Sequence, residues 1–503
     1  MKKLDGKPVR VRFESVTKQA YLTDFPLHIL ASSKRRFQAT IRASRAALMR
    51  SSLSGYGVLF DDILPGSFLS SIDPTQRQRC YGHIPVFWAW LAQILEENSS
   101  CQRAVCHIQN WSRTNGLAVP SSDTSSYCRA RIRVEIPFLQ RIHEKITAKL
   151  SAGIREEDLW NGLTLKAVDG SSVHLMDTEE NQRAYPQSSS QKKGCGSPFL
   201  GMVGLLNLSH GGWEHITTSP MSVHEINPAV ELTRTLHAND LLMGDRAFGS
   251  YGLIARCAQR GAHVLMRLHQ ARENALDWNH GERVSRHERI VEWRRPYKPA
   301  GSDARKDQWS ELPETMKVRL IKLSYQGRGG RKATLILVTT LLDHRKFNGI
   351  ELADLYARRW DIELKLRDLK TTMNMEFFAI KSPGMAHKTL LMSMIANNLI
   401  RHMMQSAARK AGKPVWQMSF KGTLDLVSSS QESFRQYAGK PTKRRTEIGR
   451  LLEIAATKLI NLRPFRNEPR AVKRRPKNHP LLNAPRHEYE EVFHRSRYYR
   501  KSA

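Results

Sequence analysis

Between Leu352 and Lys370 the chain reads ADLYARRWDIELKLRDLK from Ala353, placing one carboxylate among cations and a phenol. At a helical advance of about 100° per residue, Tyr356, Arg359, Glu363 and Lys370 share an arc of roughly 60°. Leu355, Ile362, Leu366 and Leu369 fall in the neighbouring arc and form a core stripe. A carboxylate flanked by Arg and Lys suits a place where a divalent cation meets phosphate, the acid holding the ion and the cations the phosphate oxygens. A surface helix with solvated charges shows the same pattern, so the reading needs acids delivered from elsewhere. Asp169, in LKAVDGSSVHLMDT, and Asp245, in LLMGDRAFGS, meet that need. Each follows a short apolar run that reads as a strand, and a strand end holds a carboxylate rigidly where a ligand can reach it. The first strand is expected to stop at Asp169, turn at Gly-Ser and resume. Asp-Gly also starts ordinary turns, and the nearby Asp177, before Thr-Glu-Glu, looks like a helix N-terminus.

The spacing Y-x2-R-x3-E-x6-K resembles the signature around the third acid of the family four group of DDE insertion-sequence transposases. The surroundings of Asp169 and Asp245, and the downstream runs LKTTMNMEFFAIKSPGM and EPRAVKRRPKNHPLL, are similar to that family as well. The resemblance spans roughly Pro85 to Arg486. It implies an RNase H-like core, with Asp169, Asp245 and Glu363 as catalytic metal ligands for two Mg²⁺ (or Mn²⁺) ions, and DNA strand cleavage and transfer. It places Tyr356, Arg359, Lys370 and Arg246 on DNA, although Arg246 could also pair with an acid. It implies paired element ends, hence a homodimer assembled on double-stranded DNA, and a cytoplasmic, nucleoid-associated bacterial protein.

Composition agrees with a polyanion as partner: 80 Lys and Arg oppose 47 Asp and Glu, a formal net charge of +33. Ribosomal, chromatin and membrane-surface proteins share that trait. Six cysteines show no CxxC pair and no zinc-like spacing with histidine, so reduced thiols are expected. No uncharged apolar run reaches the roughly 18 residues of a membrane span, and a soluble protein is expected.

The elements that must position these groups follow in order. Residues 1–80 read as a basic, weakly ordered arm whose Lys34–Arg50 stretch could be an amphipathic helix. Residues 81–155 hold three short helical runs, VFWAWLAQILEE, CQRAVCHIQNWSRTNG and TSSYCRARIRVEI, in the pattern of a helix-turn-helix. The third would expose Arg129, Arg131 and Arg133 to a DNA groove, although basic helical bundles are common. Residues 160–270 carry Asp169 and Asp245 in a β-α-β rhythm, with MVGLLNLSHGGWEHITTSPM read as a hairpin turning at Gly211-Gly212.

Residues 271–342 break that rhythm with tryptophans and two strand runs, MKVRLIKLSY and ATLILVTTLLD, and read as a mostly β insertion. In relatives an aromatic residue of the insertion stacks on a flipped base; Trp293, in RIVEWRRPYK, is the choice here, with a strand tryptophan in a local core as the alternative. Residues 343–411 carry Glu363 and then a long helix, and 412–503 form a C-terminal helical region and a basic, Pro-rich tail. The fold class expected is α/β: an RNase H-like mixed-sheet core with a β-rich insertion, preceded by an all-α DNA-binding region. Two rivals stay open: a noncatalytic DNA-binding protein derived from a transposase, and an RNase H-like nuclease without strand transfer.

Overall fold

The computed structural model describes residues 55–74, 80–96, 99–114, 116–297, 308–326, 332–373, 375–460, 484–485 and 488–489. The Lys34–Arg50 stretch and most of the basic tail lie outside these.

Among the described residues six helices come first: α1 Gly55–Leu59, α2 Gly66–Ile72, α3 His83–Leu95, α4 Cys101–Thr114, α5 Thr124–Arg133 and α6 Ile136–Ser151. Local chemistry fixes their ends. Asp123 caps α5 by accepting the Ser125 N–H at 2.9 Å. α3 has apolar residues on every side and is buried almost throughout. Residues 55–74, expected within the weakly ordered arm, are instead packed: Tyr56, Phe60, Leu64 and Leu69 are buried. Apolar residues at helical spacing there outweigh the basic composition of the segment before them.

The core alternates β1 Thr164–Leu175, α7 Glu179–Ala184, β2 Phe199–Asn207, β3 Trp213–Pro220, α8 Ile226–Leu232, β4 Asp240–Gly244, α9 Tyr251–Gln259, β5 His263–Arg267 and α10 Gln270–Asn274. The insertion adds β6 Glu282–Ser285, β7 Glu288–Arg294, β8 Thr315–Gln326 and β9 Lys332–Thr339. These continue the same sheet, whose order is β3-β2-β1-β4-β5-β9-β8-β7-β6. Then come α11 Gly349–Ala357, α12 Trp360–Arg367, β10 Phe377–Phe378, which pairs with β1, and the helices α13 Pro383–Ala411, α14 Phe420–Phe434 and α15 Pro441–Ala456. The β2–β3 hairpin turns where expected, with Gly211 at φ +76°.

Two expectations need correction. β1 does not stop at Asp169: its pairing with β2 runs unbroken from Lys166–Asn207 to His174–Phe199, so the Gly-Ser pair lies within an extended strand. Nor is the signature segment one regular helix. Around Arg358 and Arg359 the bonds tighten to three-residue spacing, Arg358 N–H to Leu355 at 2.9 Å and Arg359 N–H to Tyr356 at 3.0 Å. Asp368–Thr372 then loosens into a π turn.

Strand alternation sorts the sheet into two faces. Leu165 and Ala167 of β1 and Leu241 and Met243 of β4 pack with Leu352, Leu355, Ile362 and Leu369 of the signature segment. Val168 and Leu242 pack with α8 and α9 on the other face. The helical layer leans on the first face, with α13 as its spine: Asn398 Oδ1 accepts the Trp213 N–H at 2.9 Å, and Arg401 pairs with Asp368 at 2.6 Å. Among the described residues no helix is long and apolar enough to cross a membrane.

Four neighbouring strands share one buried polar belt. Lys166 of β1, 3 % exposed, pairs with Glu214 of β3 at 2.7 Å and Asp240 of β4 at 2.9 Å, and Asn207 of β2 donates to Glu214 at 2.8 Å. Removing the cation strands two buried carboxylates. We expect Lys166→Met to lower unfolding stability in urea by about 3–5 kcal/mol; a change below 1 kcal/mol would show that the belt does not hold the strands.

Candidate active site

β1 and β4 run parallel with Thr164 opposite Asp240 and Ala167 opposite Met243. Continued two residues beyond the last pair, the same register brings Asp169 level with Asp245, whose charge acts on it. Asp245 remains extended at φ −79° and ψ −171°, so alternation turns both acids toward the face covered by the signature segment. β1 pairs with β4 only as far as Ala167 and with β10 only from His174, which leaves a gap on that flank. Asp169 lies in this gap and Asp245 at its mouth.

Asp245 caps a short turn, its Oδ1 accepting the Ala247 N–H at 2.8 Å, and Asp169 Oδ1 accepts the Gly170 N–H at 2.9 Å. Burial pushes the Asp169 carboxyl up to about 6; its hydrogen bond and Arg359 oppose this, while the charges of Asp245 and Glu363 add to it. The charges of Asp245 and Glu363 therefore both reach Asp169. The three acids are neighbours and not a closed cage: among the described residues no three His, Cys, Asp or Glu side chains stand close enough to hold one ion. Glu363 is held by Arg359 at 3.3 Å, with Arg359 9 % exposed. An all-carboxylate donor set whose members repel one another fits a hard divalent cation, which would neutralise that repulsion.

The structure separates the other sequence-chosen residues. Tyr356 is brought to the site, but its buried hydroxyl donates to the Gly244 carbonyl at 3.2 Å. Expected on DNA, it instead ties the signature segment to the residue before Asp245. Lys370 sits in the π turn beyond Glu363, its ammonium pushed down by burial and supported by Glu376. Arg246 bonds the Gln270 carboxamide and, among the described residues, no acid.

Of the three arginines on α5, Arg129 and Arg133 are exposed one turn apart, whereas Arg131 turns inward, 5.3 Å from both the Trp90 and Tyr127 rings and donating to Gln93 at 3.3 Å. Residues two apart on a helix cannot share a face. Trp293 is also corrected: it is 8 % exposed on the inward face of β7, with the Arg272 guanidinium 4.0 Å above its ring, and offers no open face to a base.

Sequence reading missed Glu225. It precedes α8, and its side chain lies against Gly170, next to Asp169. Partial desolvation and then the charge of Asp245 raise its carboxyl above the ordinary range. An acid just before a helix gives no sign of such a neighbour.

The raised Asp169 carboxyl makes a pH prediction. The folded state holds this proton more tightly than the unfolded chain, so its stabilising contribution is full below 3.8 and is lost as the pH rises through about 6. Without divalent cations, Asp169→Asn should therefore exceed the native sequence in unfolding stability above about pH 6, by roughly 1–3 kcal/mol, with the gap closing toward about pH 4. Equal stability of the two proteins across that range would contradict the environment described.

Residues 160–399 match the family model described as "Transposase DDE domain". The chain is 26 % identical over 455 residues to "Transposase InsG for insertion sequence element IS4" of Escherichia coli (strain K12), covering 88 % of this chain and 97 % of that protein. It is 22 % identical over 225 residues to "Putative transposase InsZ" of the same organism, covering 41 % of this chain and 75 % of that one. A mixed sheet carrying acids on adjacent strands lies where the family model matches, so residues 160–399 form a transposase DDE domain, and the likeness over nearly the whole chain is to the transposase of insertion sequence element IS4.

Proposed function

We propose that this transposase cuts and joins DNA at the ends of its element with Asp169, Asp245 and Glu363 as the catalytic carboxylates, together holding two Mg²⁺ ions for which Mn²⁺ can substitute. The observation that supports this best is the β1–β4 register, which brings Asp169 level with Asp245 where the flank of β1 is open. Bound cations supply two things to such chemistry: a lowered pKa for the attacking water or 3′-hydroxyl, and neutralisation of the leaving oxygen.

The chain's own residues do the rest. Asp169 would have to be ionised to ligate a cation, and so would give up the proton that burial makes it hold. Arg359, now on Glu363, would be available to a phosphate oxygen if Glu363 served a cation. Tyr356 is a positioning residue: it fixes the end of β4, and thus Asp245, relative to the segment that carries Glu363. Arg246 and Lys370 extend the cationic surface on either side for the DNA backbone.

Away from the acids, α5 presents Arg129 and Arg133 for duplex contact. The charge of +33 opposes self-association of the free protein, and DNA relieves that repulsion, so the working form is a homodimer assembled on two ends.

Asp169→Asn, Asp245→Asn and Glu363→Gln should each abolish cleavage of the element's own ends in Mg²⁺ while leaving DNA affinity within about threefold, since affinity resides in dispersed cations. Near-normal cutting by any of the three would remove that residue from the set. Replacing Arg129 and Arg133 together by alanine should weaken duplex binding and flatten its salt dependence by a log-log slope of about 0.9 for each lost phosphate contact. Arg131→Ala should act on folding stability instead; an unchanged slope for the double variant would move recognition off α5.

A further inference from the structure

The gap beside β4 is approached from both faces of the sheet. Glu363 comes from the signature side. From the other side, just before α8, Glu225 lies against Gly170 of β1. A Cβ on Gly170 would collide with the Oε1 and Cδ of Glu225, so only glycine at 170 lets this carboxylate lie against the strand one residue from Asp169. Gly170 is in an extended strand with no positive φ; its missing side chain serves this approach and no turn.

Among the described residues the Glu225 carboxylate draws no hydrogen bond, and the only charges bearing on it are those of Asp245 and His224. It also lines a cavity of about 230 Å³ with Ser171, Ser219, His224 and Ala247, the last being two residues from Asp245. At about 30 Å³ per water, that volume admits several waters beside Glu225.

We infer that Glu225 is a fourth carboxylate of the active site, which acts from the α8 side on the divalent cation held by Asp169 and Asp245, through the cation's water shell. A carboxylate that accepts hydrogen bonds from metal-bound water orients that water and adds an attraction for the ion; partners of this kind are worth about 10- to 100-fold in metal affinity. Glu225 is thus a positioning residue, and the inference rests on the assignment of Asp169 and Asp245 as ligands.

The test is Mn²⁺ binding to the full chain without DNA, read as the loss of the free-ion electron paramagnetic resonance signal, with thermal melting to confirm that each variant folds. Glu225→Gln should weaken Mn²⁺ binding by about tenfold or more. Gly170→Ala, which displaces the Glu225 side chain while keeping every charge, should weaken it similarly, and the double variant should bind no worse than Glu225→Gln alone. Unchanged affinity in Glu225→Gln, or losses that add fully in the double variant, would overturn the inference. Asp169→Asn separates this from the reading beneath it. If Asp169→Asn loses Mn²⁺ and Glu225→Gln does not, only the fourth carboxylate falls; if Asp169→Asn also binds normally, the ligand assignment falls and takes Glu225 with it.

Discussion

The geometry of the site depends on the buried ammonium of Lys166. It pairs with acids of β3 and β4 while standing on β1, so a single charge spans the four strands on which the catalytic region is built. Burying three charged groups is costly, and their mutual attraction with the Asn207 bond offsets that cost only when every partner is in place. The arrangement therefore selects one register. A slip of one residue between β1 and β4 would turn Asp169 to the opposite face from Asp245. Lys166 lies three residues before Asp169, and Asp240 five before Asp245, so the clamp and the acids belong to the same two strands.

The third acid is positioned by different means. The segment carrying it is tightened near Arg359 and loosened after Arg367, and these departures from regular α-helix set where Glu363 and Lys370 point. Its start is anchored by Arg319 of β8, wholly buried, which pairs with Glu288 of β7 and donates to the Phe347 carbonyl at 2.7 Å. Gly349, the first residue of α11, leaves room for that Glu288 carboxylate. The insertion thus fixes the beginning of the signature segment, while Tyr356 fixes its middle to the end of β4. Through these contacts a strand added at the far side of the sheet influences an acid on the opposite flank.

Much of this was legible in the sequence where local pattern decides. The apolar runs before Asp169 and Asp245 did become adjacent strands, the hairpin turned at its glycines, and the stripe of Leu355, Ile362 and Leu369 did enter the core. What failed was the part that tertiary contacts decide. Helical period alone put Tyr356 on a DNA-facing stripe, whereas packing buried it and turned its hydroxyl onto the Gly244 carbonyl. Trp293 and Arg131 were chosen by residue type, and both turned inward. Asp-Gly suggested a turn, but cross-strand bonds to β2 kept the chain extended, and Gly170 proved to serve Glu225, which is distant in sequence.

The β1–β4 register should create the cation site. Anomalous scattering from crystals of the full chain grown with Mn²⁺ measures this directly. A Mn²⁺ peak is expected within ligand distance, about 2.0–2.3 Å, of carboxylate oxygens from both Asp169 and Asp245, with Glu363 turned from Arg359 toward the bound metal. Ordered Mn²⁺ bound elsewhere, with Asp169 and Asp245 making no contact to it, would contradict it.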